Sequence, residues 1–156
     1  MKTISVQTGG KLYIAGEYAI LTPGQTAILK NIPIPMTAIV KEAEKISLFS
    51  DMFDYATDMT ADKNYALIQQ TIVTLATYLD KSLHDLPAFK LDITGKLERD
   101  GKKFGIGSSG SVTVLTLKAL SAFYELKLSA DTIFKLASYT LLKLGDNGSM
   151  GDIACI

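Results

Sequence analysis

The stretch Lys103-Phe-Gly-Ile-Gly-Ser-Ser-Gly-Ser111 is the segment of this chain best suited to holding an anion. Gly105, Gly107 and Gly110 remove side chains that would keep a ligand away from the backbone, and Ser108, Ser109 and Ser111 add small hydroxyl donors. An apolar, helix-forming run, residues 112–124, follows directly. A helix beginning there points its unpaired N–H groups and the positive end of its dipole back at the loop, an arrangement that suits phosphate.

Two familiar glycine motifs fit less well. Gly105-x-Gly107-x-x-Gly110 has dinucleotide spacing, and Asp131 stands roughly 20 residues on, where a ribose-binding acid is expected. That motif needs a strand immediately before the glycines, whereas residues 97–103 read as a charged turn. Ser129 is placed to cap a new helix, which makes Asp131 a first-turn acid. The nucleotide-triphosphatase loop fails outright, because Gly10-Lys11 is followed by Leu12 rather than Ser or Thr.

The elements that must position these groups follow from periodicity. Residues 3–8 and 11–15 alternate as two paired strands, with Gly9-Gly10 as the turn between them. Pro23-Gly24 marks a turn and residues 27–31 a short strand, while Pro33 and Pro35 make the next stretch extended or edge-like. Residues 36–41 and 45–50 read as a second hairpin. Tyr65, Ile68, Ile72, Leu75 and Leu79 recur at helical spacing, which predicts a helix over 64–82. Residues 89–93 alternate as a strand, 98–103 form a solvated loop able to close over a ligand, 109–124 and 130–144 are helices, and 152–156 open a final strand. Strands first and helices later predict an α+β two-layer sandwich with a mostly antiparallel sheet.

Composition narrows the function classes. The 156 residues are 47% hydrophobic, enough to bury one core, so a single domain is expected. Sixteen basic residues balance sixteen acidic ones. No basic footprint for nucleic acid is visible, and a small-molecule partner is favoured. Cys155 is the single cysteine, which excludes an internal disulfide and fits a reducing, cytoplasmic setting. Apolar runs fall short of a membrane span, and the first residues lack a secretory apolar core.

Three segments taken together are more specific than any one loop. Gly9-Gly-Lys-Leu-Tyr-Ile-Ala-Gly-Glu-Tyr18, the stretch 105–111, and Gly145-Asp-Asn-Gly-Ser-Met-Gly-Asp152 resemble, in that order, the motifs of the GHMP small-molecule kinases. The wording of the last two is most similar to the branch of that family whose acceptor is phosphomevalonate. The resemblance spans essentially the whole chain. It implies ATP and Mg2+ as cofactors and phosphomevalonate as the substrate partner, with no nucleic acid and no membrane. It also implies a left-handed strand–helix–strand crossover, against the usual rule. Family members continue into a second, C-terminal domain. Residues 1–156 are therefore expected to be the N-terminal, ATP-binding domain without its partner domain, inactive alone and inclined to self-associate. The alternatives left open are another kinase of the family, such as a mevalonate kinase, and a binding or structural fragment without turnover.

The resemblance assigns roles to particular residues. Lys11, a lone charge before the apolar run 12–15, is the catalytic cation near the transferring phosphoryl group. Asp152, held by a Gly-Ser-Met-Gly turn, is its catalytic counterpart. Where the acceptor is itself a phosphate, already ionised at neutral pH, a proton abstractor is hardly needed, so Asp152 is expected to organise magnesium or Lys11. Lys103, Gly105, Ile106, Gly107, Ser108, Ser109, Gly110 and Ser111 are expected around ATP, with Ser109 also a magnesium ligand. Glu17, Tyr18, Asn147 and Ser149 are expected near the acceptor. One departure stands out: mevalonate kinase supplies a metal-binding glutamate about 11 positions before the motif aspartate, where this chain has Leu141, leaving Asp146 or Glu17 as substitutes. His84 is read as a surface-loop histidine, and Cys155 as an inert residue of a buried strand.

Overall fold

A computed structural model describes residues 1–95 and 108–156, and the backbone of 98–99 and 102–103. The first element, β1 (Thr3–Ala15), is one long strand rather than a hairpin. It pairs antiparallel with β2 (Ile28–Glu42), from Thr3 opposite Lys41 to Ala15 opposite Ile28. Gly9 lies inside the ribbon at a register shift between Thr8 and Gly10. A side chain on Gly9 would sit 2.6 Å from the Ile32 carbonyl oxygen, so close approach of two backbones, not a turn, requires glycine there. Pro33 and Pro35 fall opposite this irregularity, where a missing N–H costs the ladder least. Gly16, with φ of +81°, ends the strand.

The expected second hairpin is also absent. Three further strands, β3 (Ser47–Ser50), β4 (Tyr55–Thr57) and β5 (Phe89–Thr94), complete a five-stranded sheet ordered β1-β2-β5-β3-β4. Residues 36–41 thus pair with β5, which inserts between the segments expected to pair with each other. The β3–β5 pairing is parallel and the other three are antiparallel, so the sheet is mixed. Parallel neighbours need a crossover, and helix α1 (Ala66–Tyr78) lies in the connection. The charged stretch expected as a loop contains a second, two-stranded sheet, β6 (Glu98–Arg99) with β7 (Lys102–Lys103).

Two longer helices follow, α2 (Ser108–Phe123) and α3 (Ala130–Lys143). Ser129 caps α3 by accepting from the Thr132 N–H at 3.1 Å, and Asp131 pairs with Lys135 at 2.7 Å, as its reading as a first-turn acid requires. Helix α2 packs on β1 and β2 with one side and on α1 and α3 with others. That explains its apolar residues all round its axis. Its buried Thr113 and Thr116 satisfy their hydroxyls by donating to the carbonyls of Ser109 and Val112. The core joins Met36, Ala38, Val40, Leu91 and Ile93 of the sheet to Ile68, Ile72 and Leu75 of α1, Leu115 and Leu117 of α2, and Leu141 of α3.

The chain's last residues are not a strand. They form a short helix, α4 (Gly151–Cys155), entered through Met150 in the left-handed region at φ of +58°. Ile153 is its buried residue, and Cys155 is only partly covered rather than buried in a sheet. The segment packs against α2, α3 and β2. His84 is exposed on a short 3-10 turn, Leu83–Asp85. Among the described residues no helix is long and apolar enough to cross a membrane.

Candidate functional site

Side chains from both ends of the chain meet at the N-terminal end of α2. Lys11 and Tyr13 lie two apart on β1 and so share a face. The Lys11 ammonium rests over the Tyr13 ring, 4.8 Å from its centroid, within cation–π range. The Tyr13 hydroxyl lies 2.7 Å from Ser149 Oγ in the turn leading to α4. Ser149 Oγ also accepts from the Gly151 N–H at 3.3 Å. A side chain on Gly151 would come within 2.6 Å of the Tyr13 hydroxyl, so the turn is built around this tyrosine. On β2, Asn31 donates to the Cys155 carbonyl at 3.3 Å and holds the far end of α4.

Asp152 is brought to α2 by the same short helix. Its Oδ2 lies 2.6 Å from where a Gly110 side chain would begin, so the carboxyl fills the space that Gly110 leaves in the first turns of α2. A helix N-terminus favours an acid at that place. Burial pushes the carboxyl above the usual aspartate range, and Asp146 adds to that rise. The Ile153 N–H, donating to Oδ1 at 3.0 Å, and the charge of Lys11 pull it the other way. The result is a partly buried acid facing a cation at the start of a helix whose leading N–H groups have no intrahelical acceptor.

The serines of the helix start divide by direction. Ser109 is exposed and Ser108 partly so, whereas Ser111 is fully buried. The Ser111 hydroxyl donates to the Gly9 carbonyl at 2.7 Å and ties α2 to the irregular point of β1. Among the described residues no three acidic, histidine or cysteine side chains gather as a metal cage. A cation here would therefore take most of its ligands from phosphate and water, which is the ordinary habit of magnesium. An exposed hydroxyl, a carboxylate and a helix N-terminus fit a magnesium nucleotide on those terms.

Comparison with known proteins decides the family. The model of the "GHMP kinases N terminal domain" matches residues 66–156, more than half of the chain. The chain belongs to the GHMP kinases. It is 33% identical to the phosphomevalonate kinase of Streptomyces sp. (strain CL190), over 98% of this chain and 47% of that protein. Among solved structures it resembles Streptococcus pneumoniae phosphomevalonate kinase in complex with phosphomevalonate and AMPPNP, with a TM-score of 0.92 and 54% identity over 98% of this chain and 46% of that one. It is also 25% identical to the mevalonate kinase of Methanocaldococcus jannaschii, over 97% of this chain and 50% of that protein. The chain thus spans about half the length of the relatives it matches.

Of the residues expected in a GHMP kinase site, Lys11, Gly110, Ser149 and Asp152 come together as described. Ser108 and Ser109 stand at the same helix end. Glu17 and Tyr18 do not share the strand face of Lys11, since β1 ends at Ala15 and both lie in the exposed turn beyond it. Tyr18 is 81% exposed, so it does not pack on the core. Asn147 is exposed in the loop between α3 and α4. Gly105, Ile106, Gly107 and the side chain of Lys103 lie outside the described residues. Sequence reasoning passed over Tyr13. Its place two residues after Lys11 on a strand was the available signal, because such spacing puts both side chains on one face.

Proposed function

We propose that residues 1–156 are the N-terminal, ATP-binding domain of an enzyme that transfers the γ-phosphoryl group of ATP to phosphomevalonate, giving diphosphomevalonate and ADP. The observation that carries this reading is the seating of Asp152 at the start of α2 with Lys11, 141 positions away in sequence, near enough for its charge to act on the carboxyl. Its support from relatives is the 54% identity to a protein crystallised with phosphomevalonate and AMPPNP. The α2 N-terminus at Ser108, Ser109 and Gly110, and Lys103 with Gly105, Ile106 and Gly107 before it, hold the nucleotide phosphates, while the buried Ser111 fixes that helix end to β1. Ser109 and Asp152 would hold magnesium, which would supply charge neutralisation at the transferring group.

Phosphoryl transfer asks the protein for positioning and positive charge rather than covalent chemistry. Lys11 stabilises the charge that spreads over the equatorial oxygens, and Asp152 keeps the Lys11 ammonium aimed at them. An acceptor phosphate oxygen attacks the γ-phosphorus, the bond to the β-bridging oxygen breaks, and ADP leaves with that electron pair. The acceptor is already ionised at neutral pH, so no base is required. Glu17, Tyr18, Asn147 and Ser149 border the acceptor. The β3–α1–β5 connection is the left-handed crossover of the family, and sheet and helices form its two layers.

A second reading has one observation behind it. Burial raises the Asp152 carboxyl, which moves it toward the range in which a base serves a hydroxyl acceptor, such as that of mevalonate. A coupled ADP-release assay on the chain extended to its relatives' length separates the two. Phosphomevalonate as the preferred acceptor supports the first, mevalonate the second, and turnover with neither removes both.

A further inference from the structure

We infer that Tyr13 is a positioning residue of this site, orienting Lys11 through its ring and Ser149 through its hydroxyl. The inference rests on the kinase reading of Lys11. It stands on three separate contacts of one side chain: the ammonium 4.8 Å from the ring centroid, the Ser149 hydroxyl at 2.7 Å, and a hydroxyl so close to Gly151 that a side chain there would have to displace it.

A lysine has four rotatable bonds and a strongly hydrated head, so on an open strand it samples many positions. Placing its ammonium on an aromatic face two residues along the same strand removes part of that freedom before any phosphate arrives. Asp152 attracts the same charge from α4. Lys11 thus rests on a ring within the field of a carboxylate, and its approach to an anionic ligand costs less ordering.

The hydroxyl does a second job. With Tyr13 as donor, Ser149 Oγ accepts from both Tyr13 and the Gly151 N–H and keeps its own proton. A hydroxyl whose two lone pairs are occupied and whose proton is spare is free to donate to an oxyanion. Tyr13 thus sets the direction of Ser149 toward the acceptor. It also fixes the turn into α4, two residues before Asp152.

Tyr13→Phe keeps the ring and removes the hydroxyl, while Tyr13→Leu removes both. In the chain itself, NMR of the Lys11 side-chain methylenes reads ring proximity directly: they should be shifted upfield in wild type and Tyr13→Phe and return to ordinary values in Tyr13→Leu. An unshifted Lys11 in well-folded wild type or Tyr13→Phe overturns the ring contact. In the chain extended to its relatives' length, Tyr13→Phe and Ser149→Ala should each lower kcat by about three- to tenfold, with KM for ATP within about twofold. The double variant should lose no more than Ser149→Ala alone, because the Tyr13 hydroxyl acts through Ser149. Multiplying losses, or losses confined to KM, overturn the positioning role. Full activity in Lys11→Met would instead bring down the kinase reading, and the methylene shifts would still report whether Tyr13 holds the ammonium.

Discussion

The two halves of the β1–β2 ribbon are made of the same two strands and serve opposite ends. In the half from Thr3 to Thr8, the facing residues Met36, Ala38 and Val40 are fully buried under α2 and join the core. In the half from Gly10 to Ala15, Leu12, Ile14 and Ile28 are 48%, 58% and 59% exposed, while Lys11 and Tyr13 meet the α4 segment. One half binds the sheet to the helices. The other carries polar groups outward at the price of apolar surface left in solvent. Stability and chemistry are therefore separable along a single strand pair.

The largest expected effect lies in the packed half. Met36→Ala should cost about 2–5 kcal/mol in a denaturant melt, the range for emptying a closed core position. A loss under about 1 kcal/mol would show that this half is not the anchor. The outer half should respond in activity instead. In the chain extended to its relatives' length, Lys11→Met or Asp152→Asn should lower turnover by at least about a hundredfold, the effect of removing one electrostatic stabiliser. Near-normal turnover in either would take that residue out of the site.

Gly110→Ala tests how α2 seats Asp152 beside the outer half. Its new methyl would meet the Asp152 carboxylate, the movable end of a side chain, so the fold should persist with the carboxyl displaced. Turnover should fall by about tenfold or more for a displacement on the order of an ångström. Unchanged turnover would mean that the place of Asp152 is not critical.

A smaller effect is thermodynamic. Because burial raises the Asp152 carboxyl in the folded state, the unfolded chain gives up this proton at lower pH than the folded one. The stability tied to the protonated form is complete below the ordinary aspartate pKa of about 4 and is lost as pH rises through the folded value. Asp152→Asn escapes that loss, so at neutral pH its melting temperature should exceed wild type by roughly 1–3 °C, with the gap closing toward pH 3. A gap that widens on acidification would reverse the assignment. Smallest of all, Leu12→Ser should change stability by no more than about 0.5 kcal/mol.

What could be read from sequence divides along similar physical lines. Helices α2 and α3 were legible within a residue and α1 by its start, its periodic pattern running past Tyr78, because 3.6-residue periodicity and the Ser129 cap are local signals. Strand pairing was not. Gly9-Gly10 carries the composition of a turn, yet it serves a close crossing of backbones, and Pro33 and Pro35 hide a continuous strand by sitting at its irregular point. The insertion of β5 beside β2 is a long-range choice that no local pattern announces. Helix α4 is five residues long, too short for periodicity, and Ile153 and Ile156 gave it the look of a strand. At the site, Lys11, Gly110 and Asp152 were legible through their motifs. Tyr13 was hidden because a tyrosine on a strand ordinarily reports packing.

The register shift at Gly9 sets one further rule for this chain. Before it, Ile4, Val6 and Thr8, all even-numbered, turn toward the core; beyond it, the odd-numbered Lys11 and Tyr13 reach the α4 segment and the even-numbered Leu12 and Ile14 do not. A strand alternates strictly, so one residue gained or lost between Thr8 and Lys11 would exchange those two sets. The buried half would keep its pairing, and the protein would fold with Leu12 and Ile14 pressed against α4 and its cation facing water. In this stretch the quantity a lineage must keep is a count of residues, and homologues should vary in letters here long before they vary in length.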